Sequence, residues 1–461
     1  MNNCYCINKL NQCFCFNQDN EYSSLNNIHK YSSFNNIFKG FPTEYNVNKK
    51  NLVIFNLDSG TSTGISANEL FNFSNQLIYK HIYFDDFDLL KNVEYGNFKE
   101  LDRTKCKIDL LDSTDEKYRK AATKYLHEYE LIKLICKKRV ISRAYFKLYE
   151  LIFFEDIVNF HTLDCFFICE APGGFIECIT DIRRKKNLRT SYISISNDND
   201  IRYDKFLEQD NLLYGDITKL DVLDNTILLI KEKFPNNIDF ITADGGFDIQ
   251  IFNLQEIISN NLILCEIYLA ISTQKQNGMF IIKYFDMFTH NSIVSYLILC
   301  SFYKKVKIIK PNTSRNSNSE RYLVCYSFIG IDDSNKHVLD NIREIIVNYR
   351  FTEPEENKPG VYTVIYPDFN FQNIPTLKQT IKKFNNTILR EQIDTINNSL
   401  ELVKSRDMYF KNLLINQFIE KKTIGSIFMY RNILNNRIIK CIEWLRTYKI
   451  NTHQIVYRYN C

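Results

Sequence analysis

Cys169-Glu170-Ala171-Pro172-Gly173-Gly174-Phe175 sits between an apolar run, 164–169, and a segment of helical length, 174–186. The run is rich in Phe, Ile and Cys and reads as a buried strand, while the segment after it carries apolar residues at helical spacing. A strand that turns through Pro-Gly-Gly into a helix lets backbone approach a ligand closely, because glycine has no Cβ to hold it off. The helix then offers its free first-turn N–H groups to an anion. The G-x-G-x-x-G spacing of dinucleotide sites is missing, and so is the Gly-Lys-Ser/Thr ending of a phosphate-binding loop; both kinds of site are excluded. Taken alone, the turn specifies no ligand.

Outward from this turn, the stretch from about 115 to 330 alternates short apolar runs with longer segments. Strands are expected at 164–169, 190–194, 238–243, 278–283, 305–309 and 322–328, and helices at 174–186, 219–234, 251–276 and 289–303. The alternation predicts an α/β fold, a Rossmann-like and mostly parallel sheet with helices on both faces. Ligands in such sheets gather at the carboxyl ends of the strands, and further suggestive residues fall there. Asp244-Gly245-Gly246 presents a carboxylate on a tight turn after 238–243. Lys283 ends the run 278–283, where an apolar strand makes a charge costly unless it is paired or used. Lys310-Pro311-Asn312-Thr313-Ser314-Arg315 leads through a polar loop to Ser319-Glu320-Arg321-Tyr322, so that Glu320 heads a strand. Upstream, Ser142-Arg143-Ala144-Tyr145-Phe146-Lys147-Leu148 places Lys147 on a helix. Each also has an ordinary reading: a turn aspartate bonding local backbone, a solvated lysine, a basic loop.

Their order along the chain resembles the FtsJ-like family of RNA 2'-O-methyltransferases, with a Lys-Asp-Lys-Glu tetrad. The S-R-A-x-x-K-L helix, the A-P-G-G-F/W loop, the D-G-G turn, the strand-end Lys and the K-P-x-x-S-R…S-E-R-Y segment all have counterparts between about 140 and 330, under half of the chain. The resemblance implies Lys147, Asp244, Lys283 and Glu320 as catalytic residues and S-adenosyl-L-methionine as cofactor, with no metal. It places the cofactor against Glu170, Ala171, Pro172, Gly173, Gly174 and Phe175, and against Asp244. Asn197 or Asp198 is expected at the cofactor ribose, by analogy with the acidic residue of dinucleotide folds. Asp216 is expected either at the adenine edge or as a helix cap. Arg143, Lys310, Ser314, Arg315 and Arg321 are expected to face RNA phosphates. Tyr284 or Phe285 is a candidate for base stacking, with core packing as the alternative. One departure is Phe167, where many members of the family carry Asp. The Cys-Glu-Ala-Pro-Gly-Gly-Phe form instead looks like the cap methyltransferase branch and its relatives in large DNA viruses, with Glu170 taking over the contact to the cofactor's amino group.

In this reading the substrate is RNA, and the large flanking segments favour capped mRNA. The alternatives are ribosomal or transfer RNA, an inactive RNA-binding scaffold, and a small-molecule enzyme on the same fold. A ribose 2'-hydroxyl is a poor nucleophile, so a base or a charge must meet it. Lys283 is expected to take its proton or stabilise the alkoxide, with its pKa lowered by burial and by Lys147. Asp244 and Glu320 would orient the two lysines.

The rest of the 461 residues adds less. Net charge is only +4, so a nucleic-acid partner has to meet a local basic patch. No basic-then-apolar leader opens the chain, and no apolar stretch nears the roughly 18–20 residues of a membrane span. The longest such stretch, 261–271, contains Glu266 and fits a buried helix. Most of the fourteen cysteines sit in apolar runs, which suggests reduced thiols and a reducing compartment. A large DNA virus replicating in the cytoplasm would explain AT-rich coding and a self-supplied cap enzyme. On that reading the expected location is cytoplasmic, a viral factory or the virion included. Cys4, Cys6, Cys13 and Cys15 form two C-x-C pairs whose spacing is too close for ordinary zinc ligation. The chain divides into an Asn/Cys-rich extension (1–50), an accessory region (51–114), the methyltransferase-like domain (115–335) and a mostly helical C-terminal domain (336–461). In the last, 377–403 and 408–446 show helical periodicity with basic polar faces.

Overall fold

Alternation of buried strands with helices produces the doubly covered sheet expected from the sequence. The structure, a computed structural model, describes residues 4–7, 12–15, 53–58, 77–197, 203–205, 207–246, 254–333, 335–356, 358–367, 375–404 and 431–452. Its strands are β1 (Cys4–Ile7), β2 (Gln12–Cys15), β3 (Val53–Asp58), β4 (Leu77–Phe84), β5 (Thr162–Ile168), β6 (Arg189–Ser196), β7 (Leu212–Tyr214), β8 (Ile238–Ala243), β9 (Gln274–Tyr284), β10 (Tyr303–Lys310), β11 (Arg321–Phe328), β12 (Phe351–Thr352) and β13 (Gly360–Pro367). Its α-helices are α1 (Phe98–Asp109), α2 (Ser113–Leu126), α3 (Ile132–Ile135), α4 (Ala144–Ile152), α5 (Gly174–Arg184), α6 (Leu220–Lys233), α7 (Gln255–Thr273), α8 (His290–Phe302), α9 (Lys336–Asn348), α10 (Pro375–Lys404) and α11 (Arg431–Thr447). Among the described residues, no helix is long and apolar enough to cross a membrane.

The main sheet runs β3-β10-β11-β9-β8-β5-β6-β7. From β7 to β9 the strands are parallel; β11, β10 and β3 extend the sheet antiparallel. The chain runs from β5 to β6 on one side and returns to β8 on the other. In such sheets a reversal of this kind marks where ligands bind, at the carboxyl edge, the edge at which the Pro-Gly-Gly turn follows β5. The antiparallel insertion of β11 between β9 and β10 has a specific consequence. It brings the start of β11 beside the end of β9, with Arg321 opposite Tyr284 and Tyr322 opposite Lys283. Parallel pairing sets Ile168 beside Ala243 and Ala243 beside Ile282. Cys169, Asp244 and Lys283 therefore stand on one level at the carboxyl edge.

Each face of the sheet has its own apolar layer, because successive strand side chains alternate. Phe166 and Ile168 of β5 enter one layer with α6 to α10, while Leu163, Cys165 and Phe167 enter the other with α2 to α5 and α11. Helix α7 is buried almost throughout, as the run 261–271 suggested. The C-terminal helices share these layers: Ile381, Phe384 and Ile388 of α10 lie in the first, and Cys441 and Leu445 of α11 in the second. Seven of the described strands, β1 to β4, β7, β12 and β13, had no counterpart among the six that the sequence reading expected. β3 closes the sheet edge against β10, and β4 pairs along its whole length with β13 in a separate sheet, β12-β13-β4. Cys4 stands opposite Cys15 and Cys6 opposite Cys13 in the β1-β2 ladder; their side chains lie outside the described residues, so ligation there is untested.

Candidate active site

Five side chains form one hydrogen-bonded line across the carboxyl edge of the sheet. Lys147 Nζ lies 2.7 Å from Glu320 Oε1 and 2.8 Å from Oε2. The Tyr322 hydroxyl stands between the two carboxylates, 3.0 Å from Glu320 Oε1 and 2.9 Å from Asp244 Oδ1, donating to one at a time. Lys283 Nζ donates to the Asp244 carbonyl at 2.6 Å and lies 3.2 Å from Asp244 Oδ1. The four residues expected to form the tetrad are thus assembled, and Tyr322 joins their halves.

Local sequence explains why each is there. Lys147 is presented by α4, whose other side chains, Tyr145, Phe146, Leu148, Tyr149, Leu151 and Ile152, are buried. Gly174 permits this, because a Cβ there would meet Ser142 Oγ at 2.2 Å and the Tyr145 nitrogen at 3.1 Å. Close packing of α4 on the start of α5 therefore needs both the S-R-A segment and the second glycine of the loop. Gly173 has φ +107°, a left-handed turn that favours glycine. Gly245 has a different reason: a Cβ would lie 2.2 Å from Glu266 Oε1, which accepts the Gly245 N–H at 3.2 Å.

The charges of this line are strongly coupled. Burial by itself would raise the Glu320 carboxyl, but Lys147, Lys283 and Lys310 hold it well below the usual carboxylate range. Burial pulls Lys283 downward, yet Asp244, Glu320 and Glu266 outweigh it, so the net direction is upward. This corrects the expectation that burial and Lys147 would depress it: three carboxylates surround the amine. Glu266 is pushed up to about 8 by burial, with Asp244 adding to the effect. Glu170 is raised well above its ordinary value, first by burial and then by Asp244.

Other expected site residues fall on the same edge. Glu170 is buried and accepts the Thr242 hydroxyl at 3.0 Å. Ala171 N–H lies 3.4 Å from Ser196 Oγ, and the Pro172 carbonyl accepts Asp204 N–H at 3.0 Å. Phe175 is fully buried beside Tyr322. Asn197 is exposed just beyond β6; Asp198 lies outside the described residues. Asp216 Oδ1 accepts both the N–H and hydroxyl of Thr218, closing the turn before α6. Tyr284 and Phe285 are both buried, the latter with Lys283 Nζ 5.8 Å from its ring centre.

The expected phosphate contacts divide. Lys310, Ser314 and Arg321 are buried, which contradicts a role at the surface. Lys310 Nζ turns inward to Asn318 Oδ1 (2.6 Å), the Glu320 carbonyl (2.7 Å) and the Asn318 carbonyl (2.8 Å). Burial pushes its pKa down to about 7. Arg321 is held by Asp286 at 3.0 Å and Asn385 at 2.6 Å. Their basic character is spent on internal acceptors that a local sequence pattern does not reveal. Arg143 and Arg315 remain partly exposed and share one carboxylate, Glu130, leaving a net positive charge beside the site. Arg143 also donates to the Thr313 carbonyl at 2.9 Å.

Sequence reasoning missed Tyr322, Glu130, Glu150 and the role of Glu266. Glu150 accepts four hydrogen bonds from the backbone and side chains of Asn312 and Thr313, fixing their loop to α4. A lone acid within an apolar run was the signal for Glu266; Glu150 offered the same signal on α4.

With this geometry in place, comparison with known proteins adds independent findings. Residues 140–328 match the family described as FtsJ-like methyltransferase. The mouse cap-specific mRNA (nucleoside-2'-O-)-methyltransferase 1 is 32% identical over 311 residues, 58% of this chain and 35% of that protein. The protein of the same name from Drosophila melanogaster is 33% identical over 189 residues, 38% of this chain and 22% of its own length. The chain therefore spans about a third, or less, of the curated relatives it matches. Among solved structures, a Plasmodium falciparum protein described as a ribosomal RNA methyltransferase shares 25% identity at a TM-score of 0.33, covering 41% of this chain and 99% of its own.

Proposed function

We propose that the chain, whose residues 140–328 match the FtsJ-like methyltransferase family, methylates a ribose 2'-hydroxyl of RNA, using S-adenosyl-L-methionine, and that its substrate is capped mRNA. The observation that carries the reading is the line Lys147–Glu320–Tyr322–Asp244–Lys283, set at the carboxyl edge where such sheets bind ligands. The similarity to proteins named as cap-specific methyltransferases supports the substrate.

The residues present fit the cofactor. The left-handed turn at Gly173 and the α5 N-terminus, which has no side-chain bond from its N-cap residue, suit a carboxylate-bearing ligand. Asn197 and Asp216 lie at the ends of the neighbouring strands, where a ribose and a base would be held. Asp244 supplies negative charge on the same level, and Glu170, whose surroundings favour its neutral form, supplies a buried polar group beside it. When bound, S-adenosyl-L-methionine carries a methyl group activated by its positive sulfur.

The chain's own part is to place and charge the hydroxyl. Two lysines face two carboxylates, so the line is balanced overall. Lys283 meets the 2'-oxygen as an ammonium, since its surroundings favour the charged form. It therefore acts by donating a hydrogen bond and stabilising negative charge as it develops on the oxygen, while the hydroxyl proton leaves to solvent water as the oxygen is methylated. Lys147 and Glu320 fix the opposite side of the pocket, and Arg143 and Arg315 hold the adjoining backbone phosphate. Most of the rate then comes from alignment.

The test is transfer of labelled methyl groups to capped and uncapped RNAs of one sequence. Cap-dependent incorporation is expected. Equal incorporation into both would remove the cap from the proposal, and none into either would remove the activity.

A further inference from the structure

The segment that carries Glu320 is gripped from outside the matched domain. Helix α10 lies beyond residue 328, yet it contacts the chain on both sides of this carboxylate. Asn385 Oδ1 accepts Arg321 Nη1 at 2.6 Å, and the Phe384 ring lies 5.2 Å from the same guanidinium. Farther along, Gln392 Nε2 donates to the Ser317 carbonyl at 3.2 Å. Asn385 and Gln392 are seven positions apart, so they share one face of the helix about 10 Å apart along its axis. They bracket the segment 317–321.

Both amides are 1% exposed, on a face otherwise built from Ile381, Phe384, Ile388, Leu389, Ile393 and Ile396. A buried amide weakens such a face unless every polar atom is satisfied. Asn385 is well used, donating also to the Tyr95 and Met287 carbonyls at 2.8 and 2.9 Å. Gln392 is not: its Oε1 is buried with no hydrogen-bond partner. A Leu or Met at 392 would satisfy the core at least as well. Packing alone gives no reason for glutamine here, whereas its one bond to Ser317 does.

From inside, Lys310 holds the Asn318 and Glu320 carbonyls, and Arg321 Nε bonds the Ser319 carbonyl at 3.2 Å. The α10 contacts close this cradle on its outer side.

We propose that α10, through Asn385 and Gln392, is a positioning element for Glu320, holding the carboxylate in register with Lys147 and Tyr322. The inference rests on the methyl-transfer reading for its kinetic arm only. The experiment is Gln392→Met in the full chain, beside Asn385→Ala and the exposed-site control Arg390→Ala. Gln392→Met should keep or raise the melting temperature. Its kcat should fall about five- to tenfold while KM for RNA and for cofactor stay within about twofold, the pattern of lost transition-state alignment. The acid limb of its kcat–pH profile should move upward, because Glu320 is held less firmly against its lysines. Hydrogen exchange of peptides covering 317–321 should quicken in Gln392→Met and not in Arg390→Ala. Asn385→Ala should show the same signature if it folds; if it does not, Gln392→Met decides alone. A folded Gln392→Met with unchanged kcat and unchanged exchange would overturn the inference, as would a rise in KM at constant kcat. If the wild type transfers no methyl group, the function fails while the exchange measurement still tests the positioning.

Discussion

Replacing Lys147 by Met should expose how tightly the two halves of the site depend on one another. Lys147 and Glu320 meet at 2.7 Å, with side chains only 17% and 11% exposed. At an effective dielectric constant of ~20, two unit charges at that separation attract by about 6 kcal/mol. Desolvation of both groups offsets much of this. Glu320 also keeps Lys283, Lys310 and the Tyr322 hydroxyl as neighbours, so the variant does not strand an isolated charge. Lys147→Met should therefore destabilise the fold by about 2 kcal/mol, and Glu320→Gln, which leaves Lys147 unpaired, by a similar amount. The double variant removes both charges and should fall short of the sum by about 1–3 kcal/mol, the coupling usual for contacting pairs. Urea unfolding of the four proteins measures it.

The pH dependence has a definite sign. The Glu320 carboxyl lies below its unfolded value of about 4.3, so its contribution is full above that pH, declines progressively as the pH falls below it, and is gone only once the pH passes the folded carboxyl's own, much lower value. The stability gap between wild type and Lys147→Met should narrow in the same window. Methyl transfer should collapse in both single variants, and the double should be no worse than the poorer single, as for groups acting as a unit. Additivity within about 0.5 kcal/mol, or a gap that ignores acid, would show that the two side chains do not act as a pair.

Gly174→Ala should lower activity and destabilise by about 1–3 kcal/mol, since its Cβ would push Ser142 and the start of α4 away; a thermal melt with an activity assay checks both. Glu266→Gln keeps an acceptor for the Gly245 N–H but removes a carboxyl raised to about 8. Wild-type stability should fall between pH about 4.3 and about 8 as the unfolded chain, but not the folded one, gives up this proton. The variant should gain on wild type across that range, as denaturant titrations at several pH values would read. Arg315→Ala should weaken RNA binding and lower the salt slope of affinity by about one ion, measured by titrating labelled RNA at several ionic strengths.

Much of the sheet was legible because its strands are local apolar runs with sharp boundaries. The expected strand at 238–243 coincides with β8, and the other five lie within β5, β6, β9, β10 and β11 to within a residue or so, except that β9 begins earlier. The tetrad was legible for a related reason: each member stands at a strand end or on a helix with a recognisable neighbour pattern. What escaped the sequence depends on partners far along the chain. β3 is an ordinary short run until β10 gives it an edge to join, and β4 finds β13 some 280 positions later. Charge type was equally ambiguous. Lys310, Arg315 and Arg321 look alike as sequence, yet two of them point inward, because Asp286, Asn385 and the Asn318 carbonyl wait there. Arg315 stays at the surface, paired with Glu130, a residue 185 positions away. The downward pKa expected for Lys283 failed similarly, since Glu266 and Glu320 arrive from other elements.

The most direct measurement of ribose methylation is to digest RNA labelled by the wild-type protein to nucleosides and locate the methyl group by mass spectrometry, with Lys283→Met in parallel. A 2'-O-methylated nucleoside is expected from the wild type and no methylated product from the variant. Label on a base, or undiminished ribose methylation by Lys283→Met, would contradict it.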